Sequence, residues 1–327
     1  MIFYPDNTLI MAPLSGFTDL PYRRSLRRHG CYYAFTEMID AGSLAYSNPN
    51  VPRMLSRGEE EPWLGVQLVG ADEAMLLKSV EVLNTYHFDL LDFNLGCPVP
   101  KVAKKGAGAV LGRKTDEAAR LLELLVKHSR IPVTAKTRIV SEDDPEQTVR
   151  LARKLEDAGA QTLTIHGRIK ERVYSGPVFH DIIAEVRKAV KIPVVANGGI
   201  VNRASWEDAL CRSGCTVAMA ARGAMGNPWL FDEVRDPDHR PPTLDELADE
   251  IALHIGEMTI FYGDEAGFRI ARKVVLDYLR GRRFPGALRN RVSFLKSHTD
   301  LNEILDEVRQ PAAAGRQTGF SPDGIGV

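Results

Sequence analysis

The sequence predicts an α/β protein in which a closed (β/α)8 TIM barrel is followed by a small C-terminal helical bundle. Two observations lead to this fold class. Eight short runs of apolar or β-branched residues alternate with helix-like segments, and such alternation is typical of parallel βαβ units. From residue 243 onward only helical periodicity remains. A doubly wound open sheet is the competing topology, but eight successive units favour a closed barrel.

The predicted strands are short, and the segments between them suit crossover helices. In residues 116–127 the apolar side chains of Leu121, Leu122 and Leu125 fall on one side, and residues 145–158 are followed by Gly159 as a stop. The eight predicted strands are residues 9–12, 34–38, 63–68, 90–94, 133–136, 162–166, 194–196 and 217–220.

Composition divides the chain into four predicted regions. Residues 1–234 form the barrel, which is close to the ~250 residues typical of that fold. Residues 232–242 are acidic and rich in proline, and we interpret residues 235–242 as a linker. Residues 243–310 form a helical domain, because their apolar side chains recur at helical spacing. Residues 311–327 contain Gly, Ala and Pro without periodicity, and we expect them to be disordered.

The overall composition excludes several classes of protein. The formal net charge is −1, so any binding to nucleic acid must come from local basic patches. The four cysteines contain no CxxC pair, which suits reduced thiols and gives no metal site. The sequence lacks the pattern of a signal peptide and any apolar run near the ~20 residues of a membrane span. We therefore expect a cytoplasmic monomer with no metal and no membrane contact.

Polar residues and glycines stand at nearly every predicted C-terminal strand end, whereas the opposite ends are mostly apolar. Because these ends meet at one mouth of a barrel, the asymmetry predicts an active-site rim. Ordinary polar strand residues and strand-ending turns are the alternative interpretation. The rim residues are Ser15 after strand one, Gln67 on strand three, Asn94 and Cys97 at strand four, Lys136 and Arg138 at strand five, His166 and Arg168 at strand six, Asn197, Gly198 and Gly199 at strand seven, and Ala221 and Arg222 at strand eight.

Three features of this rim suggest chemistry directly. Cys97 lies between a glycine and a proline, which predicts a turn; a buried structural cysteine is the alternative. Gln67 and Lys136 come from different strands and can converge, and a cation there would stabilise the negative charge of a reduced flavin. Glycines after strands seven and eight suit a phosphate group, to which Arg222 would add charge.

Basic residues are concentrated in the helical region. Between residues 269 and 296 there are nine Lys or Arg and one acidic residue, Asp277. Solvated helix faces are the ordinary explanation of such runs, but this segregation in a chain of net charge −1 indicates a surface for a phosphate backbone. A smaller group, which includes Lys104, follows Cys97.

The chain carries the following motifs in order: residues 11–23 (MAPLSGFTDLPYR), 37–38 (EM), 67–70 (QLVG), 92–98 (DFNLGCP), 104, 106–108 (GAG), 136–138 (KTR), 165–168 (IHGR), 197–198 (NG) and 222–229 (RGAMGNPW). Taken in this order, they resemble the motifs of the tRNA-dihydrouridine synthases. The resemblance spans about residues 9–231, and the helical region is similar to the family's second domain. Two positions depart from the family pattern: Gly199 stands where Asp is common, and Ala221 where Gly is common, and both bear on cofactor affinity.

This resemblance implies an oxidoreductase that uses tightly bound FMN and NADPH to reduce the C5–C6 bond of specific uridines in tRNA. Cys97 would protonate C5 as the general acid, and the helical domain would bind tRNA. The implied cofactor-binding residues are Pro13, Leu14, Ser15, Gln67, Lys136, His166, Asn197, Gly198, Gly199, Ala221 and Arg222. The implied substrate-binding residues are Asn94, Lys104, Arg138, Arg168, Arg282 and Arg283.

Two other functions remain compatible with the residues. The first is an FMN-dependent barrel that reduces a small pyrimidine or an enone, with the helical region serving dimerisation. The second is a non-catalytic RNA-binding protein that has kept the barrel. One barrel fold hosts many functions, so the residues of the rim alone do not separate these alternatives.

Overall fold

The computed structural model describes residues 4–310, and eight parallel strands in it close into a barrel in sequence order. All eight predicted strands are present, so the predicted TIM barrel is confirmed. The tail predicted to be disordered, residues 311–327, lies outside the described residues. The strands are β1 Thr8–Met11, β2 Ala34–Asp40, β3 Leu64–Val69, β4 Leu90–Leu95, β5 Val133–Arg138, β6 Leu163–His166, β7 Val194–Asn197 and β8 Val217–Ala220.

Helices connect the strands and continue beyond the last one. The two helices predicted between strands, residues 116–127 and 145–158, correspond to α7 (Thr115–His128) and α8 (Pro145–Asp157). Two short 3-10 helices, Lys170–Arg172 and Arg222–Ala224, follow β6 and β8. The helices are α1 Leu20–Arg28, α2 Ala41–Ala45, α3 Val51–Met54, α4 Glu73–Leu83, α5 Pro100–Ala103, α6 Ala109–Gly112, α7 Thr115–His128, α8 Pro145–Asp157, α9 His180–Ala189, α10 Arg203–Ser213, α11 Leu230–Arg235, α12 Leu244–Tyr262, α13 Asp264–Leu279, α14 Gly286–Val292 and α15 His298–Arg309.

The interior of the barrel changes from apolar to polar along the strands. Ile10, Phe35, Leu90 and Met219 belong to one buried apolar cluster inside the barrel. Side chains alternate along a strand, so Asp92 and Asn94 share the face of Leu90 and follow it toward the C-terminal end of β4. The polar part of the interior is therefore the part that opens at the predicted rim.

The chain forms two compact units whose boundaries differ from the predicted domains. The first unit comprises the residues up to Leu20, Tyr32–Ile200 and Ala204–Ala221, and it contains the barrel strands. The second unit contains α11 to α15 together with Pro21–Cys31 and Val201–Arg203. Helix α1, which sequence order assigns to the barrel domain, thus belongs to the second unit.

The second unit has its own apolar core. Helix α12 presents Leu247, Ile251, Ile255 and Met258 at helical spacing, and all four are buried with side chains from α13, α14 and α15. The first turn of α12 carries a capping box, in which Thr243 and Glu246 each pair with the other's backbone N–H. Among the helices of residues 4–310, none combines the length and the apolar character that crossing a membrane requires.

A buried carboxylate explains why α1 belongs to this unit. Glu250 on α12 accepts hydrogen bonds from Ser25 Oγ at 2.6 Å and from Arg28 Nη2 at 2.8 Å. His29 Nε2 lies 3.6 Å from the same carboxylate, and its Nδ1 lies 2.6 Å from Asp232. Burial alone would raise the pKa of Glu250, but hydrogen bonds from His29, Arg28 and Ser25 outweigh it and lower that pKa to about 2. Charged groups thus take part in the contacts from α1 to α12.

We expect Glu250→Ala to lower the free energy of unfolding by about 3 kcal/mol, because it leaves Arg28 and His29 without their shared carboxylate. Thermal or urea unfolding measures this change. Glu303→Ala is the matched control: Glu303 is exposed and pairs with Arg291 at the surface, so its loss costs less than about 1 kcal/mol. Glu250 is more acidic in the folded chain, so its contribution is present above pH ~4.3 and is lost as the pH falls toward 2. Equal effects of the two substitutions would contradict this assignment.

Candidate active site at the barrel mouth

The turn that carries Cys97 is held by the side chain of Asn94, the last polar residue of β4. Asn94 Oδ1 accepts the backbone N–H of Gly96 at 3.0 Å and that of Cys97 at 2.8 Å. On the other side of the turn, the carbonyl oxygen of Cys97 accepts a hydrogen bond from the backbone N–H of Ala109 at 3.0 Å. The cysteine is half-buried and lies outside any helix or strand, as the flanking Gly and Pro predict.

Gly108 approaches the Cys97 turn so closely that no side chain fits there. Its φ is +61°, and a Cβ at this position would lie 2.6 Å from the carbonyl oxygen of Cys97. The glycine-containing segment after Cys97 therefore packs against the turn. This contact could not be predicted from the sequence, because a close approach of backbone to backbone leaves no signal in side-chain types.

A line of hydrogen-bonded side chains runs beneath the turn, across three adjacent strands. Asn94 Nδ2 donates to Gln67 Oε1 at 2.8 Å, and Gln67 Nε2 donates to Asp92 Oδ2 at 2.7 Å. The other oxygen of Asp92 accepts from Thr134 Oγ1 at 2.7 Å. Burial raises the pKa of Asp92 to about 6, although the hydrogen bonds from Gln67 and Thr134 and the charge of Lys136 oppose it.

Sequence reasoning missed Asp92 and Thr134 as site residues. A signal was present, because Asp92 is the one carboxylate in a largely apolar strand, two residues before Asn94 and hence on the same face. Thr134 gave no such signal, since threonine is common in strands.

Lys136 links the fifth and seventh strands. Its Nζ donates to Asn197 Oδ1 at 2.6 Å, and Asn197 Nδ2 donates to the carbonyl of Met219 at 2.7 Å. Burial and the nearby Arg138 lower the pKa of Lys136 to about 8, while Asp92 and Cys97 favour its charged form. Two residues predicted for the rim are thus in direct contact.

Arg138 links the Cys97 turn to the loop after β6. Its Nε donates to the carbonyl of Gly96 at 2.8 Å, and its Nη1 donates to the carbonyl of Ile169 at 3.3 Å. The guanidinium carbon lies 5.9 Å from the ring centroid of Tyr174, whose side chain is 43% exposed. Sequence reasoning did not select Tyr174, because a single loop aromatic has no distinguishing pattern.

The Cys97 thiol is kept in its neutral form at pH 7. Burial raises its pKa, and the Val99 backbone N–H and the charges of Arg138 and Lys136 only partly oppose this effect. A neutral thiol can donate a proton, whereas a strongly acidified one would already have lost it. The electrostatics of the turn therefore suit a general acid.

His166 and Arg168 form a second group of rim residues. Arg168 Nη1 lies 3.5 Å from His166 Nε2, and Arg168 Nε donates to the carbonyl of Gly176 at 2.9 Å. Gly198 has a φ of +122°, and a Cβ there would lie 2.9 Å from His166 Cδ2. Gly199 also has a positive φ. The backbone after β7 can therefore pass the imidazole only because it carries no side chain.

The loop after β1 is anchored within the first unit. The backbone N–H of Gly16 donates to the carboxylate of Glu37, and the N–H of Leu14 donates to Thr18 Oγ1 at 3.0 Å. Ser15 is exposed, and Pro13 and Leu14 are partly buried.

The remaining predicted residues divide between the two units. Lys104 is exposed next to α5, and Ala221 is partly buried after β8. Arg222 begins a 3-10 helix of the second unit, and Arg283 is exposed there. For these four the assigned roles stay predictions.

Arg282 corrects a prediction made from the sequence. Its side chain has no exposed surface, and Nη1 donates to the carbonyls of Tyr278 at 2.5 Å and Gly226 at 2.9 Å. The guanidinium also lies 5.7 Å from the ring of Trp229. The prediction that Arg282 contacts tRNA is therefore wrong, because its charge is used within the second unit.

Comparison with known proteins supplies the family context of this site. Residues 10–314 match the family model described as Dihydrouridine synthase (Dus). A "tRNA-dihydrouridine synthase B" of Pseudomonas aeruginosa is 36% identical over 319 residues, which cover 96% of this chain and 95% of the relative. A "Probable tRNA-dihydrouridine synthase" of Rhodobacter capsulatus is also 36% identical, over 82% of this chain and 85% of its own length. A "tRNA-dihydrouridine synthase B" of Pasteurella multocida is 34% identical over 84% of each chain.

We expect alkylation of Cys97 to titrate with a midpoint above the ordinary thiol value of about 8.5, because burial disfavours the thiolate. Iodoacetamide labelling across pH 6–11, read peptide by peptide in a mass spectrometer, measures it, and the exposed Cys211 serves as internal reference. Lys136→Met should move the Cys97 midpoint further up, since it removes a cation that favours the thiolate. A midpoint below the ordinary value would contradict a neutral thiol.

Proposed function

This chain belongs to the dihydrouridine synthase family, and we propose that Cys97 is the acid that completes the reduction of a uridine in tRNA. The enzyme is an oxidoreductase that converts uridine in tRNA to dihydrouridine. The observation that carries the proposal is the Cys97 turn, in which a thiol of raised pKa is fixed by Asn94 beside two cations.

The residues at the barrel mouth fit the FMN that the family implies. Gly198 has no Cβ, which would otherwise lie 2.9 Å from His166, and its backbone can approach a phosphate or ribose closely. Lys136 on β5 offers a cation, which would stabilise the negative charge of a reduced flavin, and Gln67 on β3 offers an amide. We assign the cofactor to these residues together with Pro13, Leu14, Ser15, His166, Asn197, Gly199, Ala221 and Arg222.

The protein's part of the reaction is the delivery of one proton. When bound, FMN, with NADPH as the proposed reductant, would supply the hydride for C6 of the uracil ring. Cys97 transfers its proton to C5 on the other face of the ring, and solvent later restores the thiol. Arg138 and Lys136 stabilise the thiolate left behind, because both charges act on the sulfur. Asn94, Lys104, Arg138 and Arg168 are proposed to hold the base or polarise its carbonyls.

The second unit is proposed to bind the tRNA. The target uridine must leave its stack, at a cost of a few kcal/mol that contacts to the rest of the tRNA offset. Four basic residues on or near α13 and α14 are exposed and are available to phosphates: Arg269, Arg283, Arg289 and Lys296. The other basic residues of this segment include Arg280 and Arg291, which pair with Asp277 and Glu303.

Cys97→Ala should keep the yellow flavin spectrum and lower the rate of dihydrouridine formation by about 10²- to 10⁴-fold, the usual effect of losing a general acid. The assay uses purified enzyme, NADPH and unmodified tRNA, with dihydrouridine measured by mass spectrometry. Cys211→Ala is the matched control, because that cysteine is exposed and stands on α10, and it should retain full activity.

Two results would count against the role of Cys97. Full activity of Cys97→Ala would show that another group supplies the proton. Loss of flavin in this variant would show that the thiol serves cofactor binding.

Arg283→Ala should weaken tRNA binding and reduce the dependence of log Kd on log salt by about 0.9, the effect of one lost phosphate contact. Binding is measured between 50 and 300 mM KCl with unmodified tRNA. Lys188→Ala on α9 is the control, because this exposed lysine pairs with Glu185 on the same helix. An unchanged salt slope for Arg283→Ala would remove this residue from the binding surface.

A further inference from the structure

The line of hydrogen-bonded side chains beneath the Cys97 turn consists of Asn94, Gln67, Asp92 and Thr134. Its donors and acceptors are arranged in one direction along Asn94, Gln67 and Asp92. Asn94 and Gln67 both carry an amide, which has one donor end and one acceptor end and can be inserted in two orientations. In the structure the two amides point the same way: each turns its oxygen toward the turn and its nitrogen toward Asp92.

The upper end of the line has a fixed direction. The backbone N–H groups of Gly96 and Cys97 can only donate, so Asn94 must turn its oxygen toward them. Its nitrogen then faces Gln67, which must offer an oxygen. The nitrogen of Gln67 is left facing residue 92, where an acceptor is required. An ionised carboxylate is the side chain that can only accept.

We propose that Asp92 is a positioning residue that fixes the orientation of Gln67 and Asn94 and thereby the Cys97 turn. The inference rests on the proposed function, since it concerns how the proton donor and a residue at the cofactor are held. Asp92 acts at a distance: Gln67 and Asn94 stand between it and the turn.

The position of Asp92 supports a functional reason for the acid. It is 3% exposed, and Leu90, its neighbour on the same strand face, belongs to the apolar interior cluster. A buried carboxylate destabilises a fold unless it is well paired, and an apolar side chain would satisfy a purely structural barrel. The donors Gln67 and Thr134 and the charge of Lys136 offset that cost here.

The chemistry of Thr134 provides a sharp test. An asparagine at position 92 can still accept from Gln67 if its own nitrogen faces Thr134, because a hydroxyl can accept as well as donate. Asp92→Asn alone should therefore keep the direction of the line and lower kcat by less than about fivefold. Thr134→Val alone removes a donor but leaves the carboxylate, so its loss should be equally small. Together they leave the new amide nitrogen buried without an acceptor, so that residue 92 no longer anchors the line, and kcat should fall by roughly 100-fold, more than the product of the single effects.

The experiment measures kcat, KM for tRNA and flavin content for the wild type, both single variants and the double variant. A positioning role predicts a non-additive fall in kcat with flavin content retained. Additive effects, or a loss of activity that simply follows loss of flavin, would overturn it. Asp92→Ala is a further variant, expected to lose roughly 10- to 100-fold in kcat; should it not fold, the other variants still decide the matter.

A second measurement separates this inference from the proposed function. The rate of Cys97 alkylation at pH 8 needs neither tRNA nor NADPH. It should rise at least threefold in the double variant relative to either single variant, because the turn is no longer fixed from below. Equal rates in all variants would overturn the inference. An absence of dihydrouridine formation by the wild type would overturn the proposed function alone.

Discussion

The pairing of Asn94 with the two N–H groups that follow it is the contact on which the mouth of the barrel depends. Strand β4 ends at Leu95, so the next amides have lost their ladder partners and need another acceptor. Asn94 supplies that acceptor at the point where the chain must turn. The thiol of Cys97 is therefore placed by a local hydrogen bond, and the rest of the rim is arranged around a fixed sulfur.

The polar side chains of the hydrogen-bonded line can be buried in the barrel because each of them has a hydrogen-bond partner. Gln67, Asp92 and Thr134 come from three neighbouring strands whose register aligns them, with Gln67 opposite Asp92 and Asp92 opposite Thr134. Such alignment follows from the parallel barrel itself, in which equivalent positions of successive strands lie side by side. The fold thus provides the geometry for a hydrogen-bonded line that the sequence only has to fill with the correct residue types.

Much of this architecture could be predicted from the sequence. The features that could not be predicted share one cause, because they depend on contacts between residues that are distant in the chain. Eight strands and the polar rim follow from local patterns, because strand periodicity and strand-ending residues are properties of short segments. Such patterns do not distinguish the adjacent residues Arg282 and Arg283. In the structure, however, Arg282 is buried among backbone carbonyls, whereas Arg283 is exposed. The assignment of α1 to the second unit likewise depends on Glu250, which lies more than 200 positions away in the chain.

Cys97 must be a neutral thiol before proton transfer and a stabilised thiolate after it. These two requirements oppose each other, and the surroundings of Cys97 meet both. A donor must hold its proton at neutral pH, and burial achieves this by raising the pKa of the thiol. The same burial raises the free energy of the thiolate that forms, and this would slow the proton transfer. Arg138 and Lys136 reduce that cost without reversing the sign of the pKa shift. Burial also lowers the pKa of Lys136 to about 8, so part of the lysine loses its charge as the pH rises toward 8. The guanidinium of Arg138 stays protonated over the same range. The position of Arg138, hydrogen-bonded to the carbonyl of Gly96 in the same turn, keeps that charge beside the sulfur.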